Sequence, residues 1–406
     1  MFTIKDIKED VEKLDASVAS LDRFLRLISS NRQLSGHQHS GKAKKLAKSF
    51  WKIRKHADDL YLALWHGWLP GCHEKHEAKL FLDDRIDQAL DLAKNKRGNS
   101  DLSKFDFRLI LVGDVAQGKC LWHETLVQIV EDDHLSVTGG AVVTPPPQPS
   151  QVQIIAPIQQ CRNRSTLIPI NDICSAVEKA ECEKKPLILL LTENHHMAVA
   201  LQPDNAFAPS QMKKTVTLQG LLLDNTRLNI RSPILPWKFK MVLALKLASS
   251  FLQLLQTPWI DPRLCINTVH FLLQTTDEKV DLSRPFLSLS FESFPGIQAP
   301  PKPNAKLKEA LLELGITLLE IWHETTLEER CFLPAQPMSH HDRQAWALEW
   351  LDDANNPLPD LYHKAVSHCV TGVMDGGSRL PEWDDMMLWK GFCEGVIEPL
   401  SKISKI

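Results

Sequence analysis

Apolar residues recur every three or four positions from Ile4 through Ile7, Val11, Leu14, Val18, Leu21, Leu25 and Ile28. That spacing predicts one face of a long amphipathic helix whose opposite face is charged. A polar break over 30–42, with Gly36, Gly41 and three serines, ends it. A second helix is predicted over 43–65, with Leu46, Phe50, Ile53, Ala57, Leu60 and Leu64 on one side, and Trp65-His66-Gly67-Trp68-Leu69-Pro70-Gly71 stops it. A shorter helical segment around 79–92 completes the module. The period then changes. Residues 105–112 alternate and are rich in β-formers, as are 125–130, so both read as strands. Asn171 is placed as the N-cap of a helix running to 181, and 186–192 and 197–202 read as a hairpin around Glu193-Asn194-His195-His196. From Thr215 the pattern is mostly helical, with strong amphipathic stretches at 237–255 and 305–323 and irregular sequence over 257–303. Trp346 and Trp350 lie one turn apart and are expected to pack inward together.

Composition adds boundaries to this order of elements. The 406 residues suffice for two or three domains, and 43% hydrophobic with 24% charged residues is ordinary for a globular chain. Between 139 and 157 the sequence turns to Pro, Gln, Ser and Thr around Pro145-Pro146-Pro147, an exposed loop. The expected units are a helical module over 1–98, a small strand-rich lobe with one helix over 99–204, and a helical lobe over 205–406. The fold class is therefore α+β. A formal charge of -3 supplies no global basic field, so no nucleic-acid partner is expected. Nine scattered cysteines give no disulfide framework and point to a reducing compartment. With no signal-peptide pattern at Met1–Asp6 and no apolar run of about 20 residues to span a bilayer, the expected location is cytoplasmic. The basic stretch from Lys42 to Lys55 leaves peripheral contact with anionic lipid open, against the plainer reading of a solvated helix face.

Several segments in a fixed order resemble a fungal family of uncharacterised, degenerate kinase-like domains found beside prion-inhibition-and-propagation (HeLo-type) helical modules. They are His66-Gly67-Trp68-Leu69-Pro70-Gly71-Cys72, Ile170-Asn171-Asp172-Ile173-Cys174, residues 243–254, Thr257-Pro258-Trp259-Ile260, Leu314-Gly315-Ile316-Thr317-Leu318-Leu319-Glu320, residues 362–369 and Glu394 through Leu400. The resemblance covers nearly the whole chain. It implies a protein-kinase-like two-lobed fold, a small sheet plus one helix and then a larger helical lobe, after the N-terminal helical module. The kinase chemistry is not legible in it. Where a kinase carries a His-Arg-Asp loop with a metal-binding Asn, the chain has Asp261-Pro262-Arg263-Leu264-Cys265-Ile266-Asn267, and Pro285-Phe286-Leu287-Ser288 offers no Asp-Phe-Gly metal site. Glu178 has no Val-Ala-Ile-Lys-like strand before it to supply a partner lysine.

The resemblance thus implies a non-catalytic, pseudokinase-like interaction or scaffold protein with protein partners and no cofactor, in fungal self-recognition or regulated cell death. The alternative is an atypical nucleotide-binding enzyme. Gly113, Gly118 and Lys119 nearly complete a phosphate-binding loop, GxxxxGK, after an apolar strand. Cys120 stands where the loop needs a hydroxyl to hold magnesium, and a hard ion binds a thiol poorly. The competing reading is a glycine-containing hairpin turn. Cys72, His73 and His76 have donor types suited to zinc, but no second Cys/His group lies at a matching spacing and 16 histidines produce local clusters by chance.

Overall fold

The computed structural model describes residues 40–68, 75–94, 106–115, 119–130, 168–170, 172–192, 197–199, 214–228, 235–260, 264–273, 280–292, 306–331, 338–372 and 384–406, with Lys8 and Val18 as single positions ahead of them. The helix expected over 4–28 and the Pro-rich loop at 139–157 lie outside these residues.

Helix α1, Gly41–Gly67, begins where Ser40 accepts a hydrogen bond from the Ala43 amide. The apolar side read from the sequence is its buried side: Leu46, Phe50, Ile53, Ala57, Leu60 and Leu64 are all fully buried. Strand β1, Lys75–Phe81, follows, then α2, Ile86–Lys94, β2, Asp106–Val115, and β3, Lys119–Val130. After β4, Ile168–Pro169, come α3, Ile173–Glu183, β5, Leu187–Thr192, and β6, Met197–Val199. Asp172 is the N-cap of α3, accepting from the Cys174 amide, one residue later than expected; Asn171 is not among the described residues. The expected hairpin is observed, with β5 antiparallel to β6.

The last third of the chain contains β7, Lys214–Thr217, α4, Leu218–Leu228, α5, Trp237–Leu254, β8, Val269–Leu273, β9, Val280–Glu292, α6, Leu307–His323, α7, Leu327–Arg330, α8, His340–Leu351, α9, Asp360–Thr371, α10, Met386–Phe392, and α11, Glu398–Ile403. A single π-helical turn, Cys393–Ile397, joins the last two.

Two expectations are corrected. The segment around 79–92 is not one helix: Lys79, Leu80 and Phe81 end a strand. The stretch 257–303, read as irregular, contains β8 and β9. Pro285 and the polar residues around it mask β9 in the sequence. The proline is accommodated because it lies just past β1, where its carbonyl accepts from the Leu82 amide at 2.8 Å, and within the register irregularity between β8 and β9.

The fold is mixed α and β, and its sheet is larger than a small lobe. Nine strands run in the order β4-β6-β5-β3-β2-β1-β9-β8-β7. All neighbours are antiparallel except β3 and β5, which α3 connects as a parallel pair. Strands from residues 75–81, 106–130 and 269–292 are adjacent, so the sheet joins segments from all three expected units. Alternation sorts its faces. Ala78, Leu80, Phe107, Leu109, Leu111, Val127, Leu189, Leu287 and Phe291 face the main core with the helices, whereas Phe81, Ile110, Val112, Leu272 and Phe286 form a smaller cluster on the other side.

In the helical layer α6 packs on α9, and α1 on α5 and α10. Trp350 is fully buried while Trp346 is partly buried against the same core, so only one of the pair packs wholly inward. Gly315 of α6 permits the close approach of α9: a Cβ there would sit 2.7 Å from Val370 Cγ2, 3.1 Å from Cys369 Cβ and 3.2 Å from the Val370 backbone nitrogen. A Cβ at Gly391 of α10 would meet nothing within 4 Å. Gly315→Ala should therefore lose about 1–2 kcal/mol, because overpacking against a helix backbone outweighs the gain in helix propensity. Gly391→Ala should gain up to about 1 kcal/mol. Urea unfolding of both variants measures the contrast.

Candidate functional site

Gly113 and Lys119 belong to one hairpin. Val115 pairs with Lys119, Asp114 with Cys120 and Gly113 with Leu121, so the chain turns from β2 straight into β3. A phosphate-binding loop instead opens the N-terminus of a helix, whose amide dipoles hold the anion. The pairing of residues 113–115 with 119–121 is that of the hairpin reading; Gly118 itself is outside the described residues.

Asp261 lies outside the described residues, and Asn267 is exposed in the turn that leads into β8. Pro285 to Phe291 lies in β9, which is paired with β1 from Phe81↔Phe286 to Lys75↔Glu292 and with β8 on its other side. Glu178 is exposed on α3.

Of the proposed metal donors, Cys72 and His73 are outside the described residues. His76 is fully buried in β1, opposite Gly113 on one side and Phe291 on the other. Its ring stacks on Trp68 at 4.4 Å, and its Nε2 lies 3.3 Å from the Cys174 Sγ at the start of α3. Among the described residues no three His, Cys, Asp or Glu side chains are placed to hold a metal ion. Beside the His76–Cys174 pair is a small cleft lined by Trp68, Leu111, Gly113, Cys174, Val177 and Glu178. The sequence could not signal this meeting: Cys174 is 98 positions from His76, and only the placement of α3 over the sheet brings them together.

Electrostatics elsewhere is concentrated where the sheet joins the helical layer. Arg85, in the left-handed region at φ 48°, is buried; its Nη1 donates to Gln253 Oε1 of α5 at 2.8 Å and its Nε to the Asp106 carbonyl at 3.2 Å. Gln253 Nε2 in turn donates to the carbonyls of Asp83 and Asp84. Burial lowers the Arg85 pKa, and the carboxylates of Asp83 and Asp106 oppose that shift. This arrangement satisfies buried polar groups and binds two layers together.

Along α1, Lys44, Lys45, Lys48, Lys52 and Lys55 are exposed, which places the basic stretch on the solvent side of the helix. No helix among the described residues is long and apolar enough to cross a membrane. His56 and His323 are pushed down to about 4, chiefly by burial, so both are neutral at physiological pH. Glu320 of α6 is pushed up to about 8 by burial, although its Oε1 accepts from the Leu327 amide at 3.1 Å. Arg343, the nearby cation, is engaged by Glu313 and Glu328.

Glu320 gives a pH prediction. Between the ordinary value of 4.5 and about 8 the folded chain retains a proton that the unfolded chain releases, so stability falls as pH rises through this window. Glu320→Gln removes that cost. It should stabilise the protein by on the order of 1–3 kcal/mol at pH 8 and have little effect at pH 4, as read by chemical denaturation at both pH values.

A family model described as a domain of unknown function matches residues 49–405. No curated protein matches the chain.

Proposed function

The chain belongs to that family, DUF7580, and on this premise we propose that it is a non-catalytic, pseudokinase-like interaction or scaffold module that works through protein partners. One observation carries the reading. The segment that the resemblance sets where a kinase carries its metal-binding loop is β9, paired on both sides within the sheet at Phe286 and Leu287. A strand held between two neighbours cannot swing a carboxylate toward a nucleotide, and without a metal anchor the charge on a transferring phosphoryl group has no preorganised stabilisation. The exposure of Asn267 and Glu178 supports the same reading. So does the pairing of Gly113, Asp114 and Val115 with Leu121, Cys120 and Lys119, which is that of adjacent strands.

The exposed lysine face of α1 carries five lysines, and it fits a partner that presents acidic side chains. Its opposite face is committed to the core, so the lysines can be engaged without disturbing the fold.

Thermal unfolding with saturating Mg-ATP or Mg-GTP tests the proposal. A ligand that binds the native state raises its stability by mass action, about 2.7 kcal/mol at a hundredfold excess over Kd. The expected Tm change is within about 1 °C for both nucleotides. A rise of several degrees that Lys119→Ala abolishes would overturn the reading in favour of a nucleotide-dependent activity.

A further inference from the structure

We propose that the lysine row of α1 is the docking site of an acidic polypeptide segment, and that docking stabilises the whole chain by relieving repulsion built into that helix. The inference rests on the reading of this protein as a partner-binding module and names the chemistry of the partner. Residues 41–57 contain six lysines, Arg54 and no aspartate or glutamate, in a chain whose formal charge is -3. Lys44 and Lys48 are four apart, as are Lys48 and Lys52, while Lys45 and Lys48, and Lys52 and Lys55, are three apart. Like charges at these spacings face one another on a helix and destabilise it. The first turn of α1 holds no acidic residue, and cations there oppose the helix dipole. Among the described residues none of the five exposed lysines is engaged in an ion pair. Burial of the apolar side holds α1 in place against this repulsion, and an anion laid along the row removes it.

The position of the row selects the kind of anion. Successive residues of a helix are about 100° apart, so from Trp51 the residues Lys44, Lys55, Lys48, Lys52 and Lys45 follow in order across an arc of about 160° that ends at Ser49. Trp51 packs on Trp389 of α10 at 5.4 Å, and Ser49 donates to the Ala89 carbonyl of α2 at 2.7 Å. The lysines therefore run in a lane between those two helices, about 16 Å long from Lys44 to Lys55. Both borders are acidic. Asp87 and Asp91 are exposed on α2, and Asp384 and Asp385 are exposed at the start of α10, where Asp384 reaches Arg54 at 3.4 Å. A flat anionic surface, such as a bilayer, or a wide one, such as duplex nucleic acid, brings its charge against these carboxylates as well as the lysines. A single polypeptide strand or helix rich in Asp and Glu is narrow enough to follow the lane alone.

Docking there is felt by the whole fold. α1 packs on α2, α5 and α10, so relief of its internal repulsion stabilises the native chain and not one helix only.

The test uses the full chain near neutral pH and a synthetic segment of about twelve residues alternating Glu and Ser, with alternating Gln and Ser as its uncharged counterpart. Binding of the Glu segment, read by fluorescence anisotropy, should weaken at least about tenfold between about 50 and about 300 mM salt. At low salt a saturating amount should raise the Tm by about 2 °C, and the Gln segment should do neither. Lys44→Gln, Lys48→Gln, Lys52→Gln and Lys55→Gln together should cut affinity at least about tenfold and remove the Tm response, while the variant without the segment melts no lower than wild type. Lys306→Gln with Lys308→Gln, both exposed at the start of α6, should change neither. Unchanged affinity in the four-lysine variant, or a variant that melts below wild type, would overturn the proposal. So would binding to vesicles of about 30% phosphatidylserine, or to a short DNA duplex, that is tighter than binding to the Glu segment and is lost with the same four lysines. The outcomes are separable from the nucleotide test: stabilisation by Mg-ATP that Lys119→Ala abolishes overturns the scaffold reading and leaves the lysine row untouched.

Discussion

The structure depends on helix α1 being buried against two layers at once. Its apolar side meets α5 and α10, and its C-terminal turns meet the sheet. Tyr61 stacks on Phe291 of β9 at 5.4 Å and Trp68 on His76 of β1. Trp259, just beyond α5, donates its indole N–H to the Ala57 carbonyl at 2.8 Å. Arg54 donates to the Leu255 carbonyl and to Gln256 while lying over Trp51 and Trp389. At the other end Ser40 donates to Glu398. Residues 200 and more apart in sequence are thus referred to one rigid rod, and burial of its apolar and aromatic side chains makes the association favourable.

A second constraint follows from placing polar loops beneath a helical layer. The turn after β1 sets the part-buried Asp83 and Asp84 carbonyls against α5, and a carbonyl removed from water without a donor is costly. Gln253 of α5 donates to both and accepts from Arg85, so the turn, the helix and β2 are satisfied together. On the far side of the sheet Arg284 lies over Phe81 at 4.2 Å and donates to Glu124, a charged edge to the smaller apolar cluster. The same economy accounts for Arg85 and Gln253 at buried positions between the layers.

The helices were largely legible because their burial is one-sided. Leu46 through Leu64 in α1 show the 3.6-residue period directly, whereas α6 is buried all round from Ala310 to Ile321 and is legible through its apolar composition. The strands were less legible where burial is two-sided. Lys79 and Phe81 lie on the same face of β1 and are both buried, Lys79 being held by Glu77 and Ser288, so a chemical alternation was absent even though a structural one exists. In β9 the proline and serines hid a strand whose inward residues, Leu287, Leu289 and Phe291, pack with the core. His76 was noticed in the sequence for its neighbours Cys72 and His73, whereas the donor that the fold brings to it is Cys174.

By itself the sequence determined the order of most helices, the β2–β3 and β5–β6 strands, and the absence of kinase catalytic motifs, because these depend on local period, capping and residue identity. Tertiary structure decided that residues 75–81, 269–273 and 280–292 join one nine-stranded sheet, that Gly113 and Lys119 lie on paired strands, and that a cysteine meets a histidine across 98 positions. Strand pairing and side-chain proximity are long-range properties. They follow from burying α1 and the sheet face against each other, and no local window of sequence contains that information.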